Sequence, residues 1–320
     1  MKNVYALAML VTAVCMLLFP LSASGKGKKT VQANAVPGVV LKGEDEDVLT
    51  EVRVKLADTG EIRIFSLEDY IFGVVAAEMP ALYENEALKA QAVVGYTYFL
   101  RKKDTSANTE YDISDDYTVD QAFITPEKAR ERWGDGADEY EQKIKAAVKE
   151  VLYKKVTYGG DIAVTVYHAI SGGKTERAAD IWGGEYPYLV QVDSSWDKLA
   201  ENYLSTAEFT ADELKSKLSA LAELKSTDEN CFSDISRTDS GSVKNLKISG
   251  VTVSGGDLRK ALNLRSADFD ISFSDKRYVF TVRGYGHGIG MSQNGANYMA
   301  MQGKTWEEIL LHYYPGCKIE

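Results

Sequence analysis

The chain switches between two hydrophobic periods, and the switches mark its elements. Residues 51–66, EVRVKLADTGEIRIFS, alternate apolar and polar side chains on either side of Asp58-Thr59-Gly60. A period of two around a Gly-bearing turn predicts a β-hairpin. From Leu67 the period lengthens: Leu67, Tyr70, Ile71, Val74 and Val75 fall at i, i+3, i+4, i+7 and i+8, one face of a helix. Ser66 is its expected N-cap, with Asp69 three residues on. Pro80 ends it, because a proline drives the preceding residue, Met79, out of the helical region. Eleven residues at about 100° each return almost to the starting angle, so the next position on the apolar stripe is Glu78. The pattern puts a carboxyl on the inward face, in the last turn of its helix. Burial and the negative end of the helix dipole both disfavour the anion there. A carboxyl that stays protonated near neutral pH is what a general acid needs.

A second helix, EALKAQAVVGYTYFL over 86–100, is rich in alanine. Ala87, Ala90 and Ala92 are small enough to let another backbone approach and hold Glu78 in a rigid frame. Of the neighbouring acids, Glu84 falls in the turn, and Glu86 suits the first turn of this second helix. Residues 104–123 read as a polar, acidic loop, and 126–151 as a charged helix interrupted at Gly134-Asp135-Gly136. A second hairpin is predicted over 151–173, turning at Gly159-Gly160-Asp161. Thr210, with Glu213 three residues on, opens another helix. Short strands and a helix follow over 243–264. Strands over 269–283 run into a Gly-rich loop, and a helix lies around Trp306–Leu311. No repeat of 20–50 residues is present. Strands and helices mix without regular βαβ alternation, so the fold class is α+β.

Lys2, an apolar run from Val4 to Leu21 and the small residues Ser22 to Gly25 have the layout of a secretory signal. The run is also long enough to span a bilayer. Residues 1–24 are therefore expected to be a signal peptide or membrane anchor, 25–49 a polar tether, and 50–317 the folded region, outside the cytoplasm. A composition of 45% apolar and 26% charged residues is that of a globular protein. A net charge of −10 argues against a nucleic-acid partner. Cys15 lies in the leader. Cys231 and Cys317 are read as two unpaired thiols, with a disulfide between them as the alternative.

Two Gly-rich stretches carry further chemistry. Gly284, Gly286, Gly288 and Gly290 in RGYGHGIGMSQNGA do not fit G-x-G-x-x-G, which excludes the dinucleotide fingerprint. His287, between two glycines, is a site candidate. YHAISGGKTERAADIWGGEYPYL sets His168 and Ser171 beside Gly172 and Gly173. Ser171 is in no G-x-S-x-G elbow, although a triad of Ser171, His287 and an aspartate is conceivable. His168, His287 and His312 lack metal-ligand spacing. Tyr96, Tyr98, Trp182, Tyr186, Tyr188 and Tyr285 could stack on sugar rings or fill the core.

Taken in order, GVVAAEMPALYENEALKAQAV, SGGKTE, IWGGEYPYLVQVDS, VSGGDLRKALNLRS and GYGHGIGMSQNGANYMA resemble the stage II sporulation protein D (SpoIID) / LytB amidase-enhancer family from about residue 50 to Gly316. The resemblance implies a two-lobed fold, with a helix pair carrying the acidic residue. It also implies a peptidoglycan lytic transglycosylase acting in sporulation engulfment on glycan strands stripped of stem peptides. Glu78 would be the catalytic acid, and His168, Ser171, Gly172, Gly173, Tyr188, Tyr285, His287 and Gln293 would line the glycan groove. A partner amidase and membrane sporulation proteins are the implied partners. Zinc-bearing members carry a histidine and Cys-x5-Cys after the second helix. Ser114 and Asp120 stand at the cysteine places here, so no metal and no cofactor are expected. Family helices read Ala-Arg-Thr-Tyr where this chain has Gly95-Tyr96-Thr97-Tyr98, which implies looser substrate contact or a divergent subgroup. Some relatives enhance an amidase or bind the wall, so a non-catalytic binder is the alternative.

Overall fold

The computed structural model describes residues 49–105, 110–225 and 228–320. The expected leader at 1–24, and all but the last residue of the tether at 25–49, lie outside them. No described helix is long and apolar enough to cross a membrane.

Strand β1 (Glu51–Lys55) pairs antiparallel with β2 (Ile62–Ser66), as the period of two predicts. Helix α1 (Leu67–Glu78) starts on Ser66, whose hydroxyl accepts the Asp69 N–H at 3.0 Å. It stops at Met79, which is extended at φ −124° and ψ 144°. One expectation is corrected. The helix is not apolar on a single face, because ten of its 12 residues are buried. Helices α2 (Asn85–Thr105), α3 (Pro126–Trp133) and α4 (Ala137–Val151) enclose it together with β2. Gly95 of α2 lets the first two helices touch, since a Cβ there would lie 2.9 Å from Val74 Cγ1.

The polar stretch after α2 is more than a loop. Strand β3 (Ile113–Ser114) joins β1 in parallel. Asp112 accepts the Arg53 backbone N–H at 2.9 Å and pairs with its guanidinium at 3.0 Å. Asp120 accepts the Ser114 N–H at 2.9 Å and pairs with Lys102 Nζ at 2.5 Å. The Asp120 carboxylate thus ties the end of α2 to β3.

The second hairpin is shorter than predicted: β4 (Val156–Tyr158) and β5 (Asp161–Ile162) are joined at the edge by β14 (Lys318–Ile319). Beyond Ile162 side chains take the backbone bonds that a ladder would have made. Val164 N–H donates to Tyr188 Oη and Tyr314 Oη donates to Val166 O, both at 2.7 Å. Freed in this way, β6 (Tyr167–His168) pairs in parallel with β13 (Met291–Ser292). The chain then runs through α5 (Ala178–Ile181) and a 3₁₀ turn at Ser195–Leu199.

A second hydrophobic core follows. Strands β7 (Leu204–Thr210), β11 (Phe269–Ser274) and β12 (Arg277–Arg283) form one sheet in the order β11-β12-β7. Strands β8 (Phe232–Arg237), β9 (Val243–Ile248) and β10 (Val251–Ser254) form another. Helices α6 (Ala211–Leu218) and α7 (Gly255–Leu262) cover them, with Leu214, Leu246, Leu258, Phe269 and Phe280 fully buried. Thr210 and Glu213 make the predicted capping box. The chain returns to the main core with α8 (Gln293–Met301) and α9 (Trp306–Tyr313). Helix α8 was hidden by the preceding glycines. The fold is α+β, with two cores. Cys231 is buried in the second and Cys317 in the main one, and both are free thiols.

Candidate functional site

Glu78, the last residue of α1, is 1% exposed. Its Oε1 accepts from Tyr167 Oη at 3.0 Å, and its Oε2 lies 3.4 Å from Gln293 Nε2. Gln293 also stands 3.4 Å from Gln91 Oε1. The acid is therefore met by β6 and by the first residue of α8, which in turn reaches a polar side chain of α2. It lines a cleft of about 360 Å³, counted to its open mouth, with Pro80, Tyr83, Ile170, Arg265, Tyr285 and Gln293. Arg265 follows α7 and so reaches the cleft from the second core. Tyr285 and Ile170 exchange backbone bonds of 2.6 and 3.0 Å beside it.

The glycines of the 284–290 loop are required by backbone packing. At Gly290, φ is +71° and a Cβ would stand inside the Val166 carbonyl oxygen. At Gly284, φ is +73° and a Cβ would lie 2.7 Å from Ile170 O. These contacts lay the loop flat on the β6 segment, which brings Tyr167 and Gln293 to the same carboxyl.

The two predicted histidines sit behind this wall. His168 Nδ1 is 3.1 Å from Ile289 O, so that nitrogen carries the proton. Burial lowers its pKa to about 4. His287 Nδ1 accepts the Ile289 N–H at 3.0 Å, and burial, with His168 adding to it, holds this imidazole neutral as well. The ring centroids are 5.8 Å apart. Neither ring lines the Glu78 cleft. His287 faces a second cavity of about 240 Å³, shared with Ser171, Gly172, Glu176 and Asp268. Gly173 packs against the Lys198 side chain beside it. The Ser171 hydroxyl accepts the Gly173 N–H at 3.0 Å and bonds to no imidazole, so the conceivable triad is not assembled. Tyr188 is in the main core, 4.9 Å from the Tyr158 ring and away from both cavities. His312 is elsewhere, its Nε2 2.7 Å from Asp193 O.

Several residues escaped sequence reasoning. Asp197 is fully buried. Its Oδ2 accepts from Ser171 N–H and Ser194 Oγ, both at 2.9 Å. Its Oδ1 accepts from Ser292 Oγ at 2.9 Å and Asn294 Nδ2 at 3.1 Å. One carboxylate thereby pins the Ser-Gly-Gly loop to the start of α8, on either side of Gln293. Nothing in local periodicity marks it. Glu176, within SGGKTE, is 3% exposed, and burial raises its pKa above the ordinary range. Thr238 Oγ1 donates to its Oε1 at 3.1 Å. Gln91 had a signal, a polar residue inside an Ala-rich helix. Among the described residues no cluster of His, Cys, Asp and Glu is arranged to hold a metal ion.

This arrangement has relatives. The family model described as stage II sporulation protein matches residues 56–158. Stage II sporulation protein D of Bacillus subtilis (strain 168) is 36% identical over 256 residues, covering 79% of this chain and 74% of that protein. The chain belongs to the stage II sporulation protein D family. An uncharacterized protein of Brachyspira hyodysenteriae is 32% identical over 258 residues, 79% of this chain and 66% of its own. An amidase enhancer of Bacillus subtilis is 27% identical over 298 residues, 77% of this chain and 40% of its own. The family-model match takes in α1 through β4, and so includes Glu78 and Gln91.

Proposed function

We propose that this protein is a lytic transglycosylase that cleaves the glycosidic bond between muramic acid and glucosamine units of peptidoglycan, with Glu78 as its acid and base. The supporting observation is that, among the described residues, Glu78 is the one carboxyl lining its cleft, where it is buried and accepts from Tyr167. Ordinary glycosidases place two carboxyls across the scissile bond. Here the other buried glutamate, Glu176, opens on a different cavity, with Asp268. One acid suffices when the substrate supplies its own nucleophile. Glu78 gives its proton to the leaving glycosidic oxygen, and the C1–O bond breaks with positive charge developing at C1. The C6 hydroxyl of the same muramic sugar attacks C1 and returns its proton to Glu78. The product is a 1,6-anhydro end, and no water is consumed. Removing the carboxyl from water favours its neutral form, while Tyr167 and Gln293 fix its direction. His168, Ser171 and His287 act by holding the wall of the site, and Tyr285 by lining it.

In this reading the protein works outside the cytoplasm in the sporulating cell wall, reached through the segment at 1–24. Its partners are an amidase that strips stem peptides and membrane sporulation proteins. The likeness to an amidase enhancer favours a second reading, a wall-binding protein that keeps the cleft without using it. Mass spectrometry of peptide-free glycan strands after incubation with the protein separates the two. Anhydro-muramic ends support the transglycosylase. Strands that bind but stay intact at high protein concentration support the binder, and new reducing ends would point to hydrolysis instead.

A further inference from the structure

We propose that Arg265 is a receptor for the free lactyl carboxylate of muramic acid and so sets the preference for strands that have lost their peptides. The proposal rests on the glycan reading of the Glu78 cleft. Arg265 lines that cleft together with Glu78. Its guanidinium carbon lies over the Tyr285 ring, 4.2 Å from the centroid, a cation–π contact that holds the head group in place. Its Nε is buried without a hydrogen-bond partner. Of its neighbours, Arg283 pairs with Asp268 at 2.9 Å and Arg237 with Asp270 at 2.7 Å, while Arg259 donates its Nε to Leu264 O at 3.2 Å. Among the described residues no carboxylate pairs with Arg265. Burial pushes its pKa below the usual arginine range, as expected for a cation whose counter-ion is missing. A guanidinium that lines a cleft, lies over an aromatic ring and pairs with no carboxylate is suited to bidentate carboxylate recognition.

The candidate ligand chemistry is narrow. In an alternating glycan strand only the muramic sugars carry a carboxyl, on the lactyl ether at C3. In intact wall that group is an amide to the stem peptide, neutral and bulky. Hydrolysis of the amide adds water across the C–N bond, leaving a carboxylate on the sugar and an ammonium on the peptide. Arg265 would meet an anion only after this step. An amide-hydrolysing reaction must therefore come first, and Arg265 is the side chain that senses it.

The test is a binding measurement on the full chain carrying Glu78→Gln, so that strands are not consumed. The probes are peptide-free glycan strands and the same strands with their lactyl carboxylates converted to N-methylamides. With Arg265 in place, the carboxylate strands should bind about tenfold to a hundredfold more tightly, the range for a charge-assisted bond. Arg265→Gln should bind both strands equally, at the weaker level, and Arg265→Lys should recover part of the preference. Equal binding with Arg265 present overturns the proposal, and so does a preference that survives Arg265→Gln. An arginine that served only Glu78 would give that second result. Because binding is read without the acid, failure here is distinct from failure to form anhydro ends, which would remove the transglycosylase reading alone.

Discussion

In the second core, strands β11, β12 and β7 pair in unbroken antiparallel register, and helices start on Thr210 and Ser254 caps. The main core is held by two-residue strands, side chains that replace ladder bonds, and a Gly-rich loop pressed onto β6. Buried polar groups divide the same way. The second core has four, Thr238, Ser242, Ser266 and Asp268. Thr238 bonds to Glu176, and the other three line the cavity shared with the main core. The main core buries Glu78 with Gln293 beside it and Gln91 beyond, and His168 and Asp197 in the wall behind. The region that departs from local rules is the one that assembles the site, as expected where structure is spent on function rather than on stability.

That contrast is broken most directly at Asp197. Asp197→Ala leaves four buried donors without their acceptor. Ser292 Oγ keeps Ala169 O and Ser194 Oγ keeps Tyr313 Oη, so at about 1–3 kcal/mol for each of the two groups left unsatisfied a loss of at least about 2 kcal/mol is expected in denaturant unfolding. Binding of glycan should fall with it as Gln293 loosens. A loss under 1 kcal/mol would mean that the network does not hold the site. Next comes Gly290→Ala, which forces a side chain into a left-handed position against the Val166 carbonyl. An expected cost of about 3 kcal/mol in thermal melts, with the β6 segment displaced, would confirm that the loop's glycines serve packing.

Acid sharpens the comparison. An imidazole titrates near 6.5 when unfolded, and His168 near 4 when folded, so between these values the unfolded chain binds more protons. Stability should be fully present above about pH 6.5 and decline toward pH 4, by up to about 3 kcal/mol from His168. His168→Asn, whose amide can donate to the Ile289 carbonyl, should flatten part of that slope and leave the share of His287. A slope unchanged by the substitution would exclude His168 as its source. The smallest effect belongs to the second core. Thr210→Ala removes one cap at about 1 kcal/mol and should leave turnover of glycan strands unchanged, because α6 touches neither cavity.

Much of the fold was legible in the chain. The β1–β2 hairpin, the Ser66 cap, the break at Gly134–Gly136, the Thr210 capping box and the β11–β12 pair all follow from periods and end signals that act within a few residues. Glu78 was legible for the same reason, as the one polar position on an apolar stripe. Helix α8 was not, because four glycines before it and the small residues within it mask the helical period. Parallel β6–β13 pairing joins residues more than 120 positions apart, which no local pattern encodes. Asp197 and Arg265 depend on such long-range placement, and a polar residue in a polar stretch carries no sign of burial. Tyr188 shows the converse: an aromatic beside paired glycines suggested a sugar platform, yet its hydroxyl serves the Val164 N–H inside the core.

The most direct measurement compares the protein with Glu78→Gln on peptide-free glycan strands, counting anhydro-muramic ends by mass spectrometry and strand binding in parallel. The substitution keeps the size of the side chain and removes its transferable proton. Anhydro ends should fall by about a thousandfold or more, in the upper part of the usual share of one acid–base group, because the same group acts in both proton transfers, while binding stays within a few-fold. Equal formation of anhydro ends by the two proteins would contradict the assignment and require another acid.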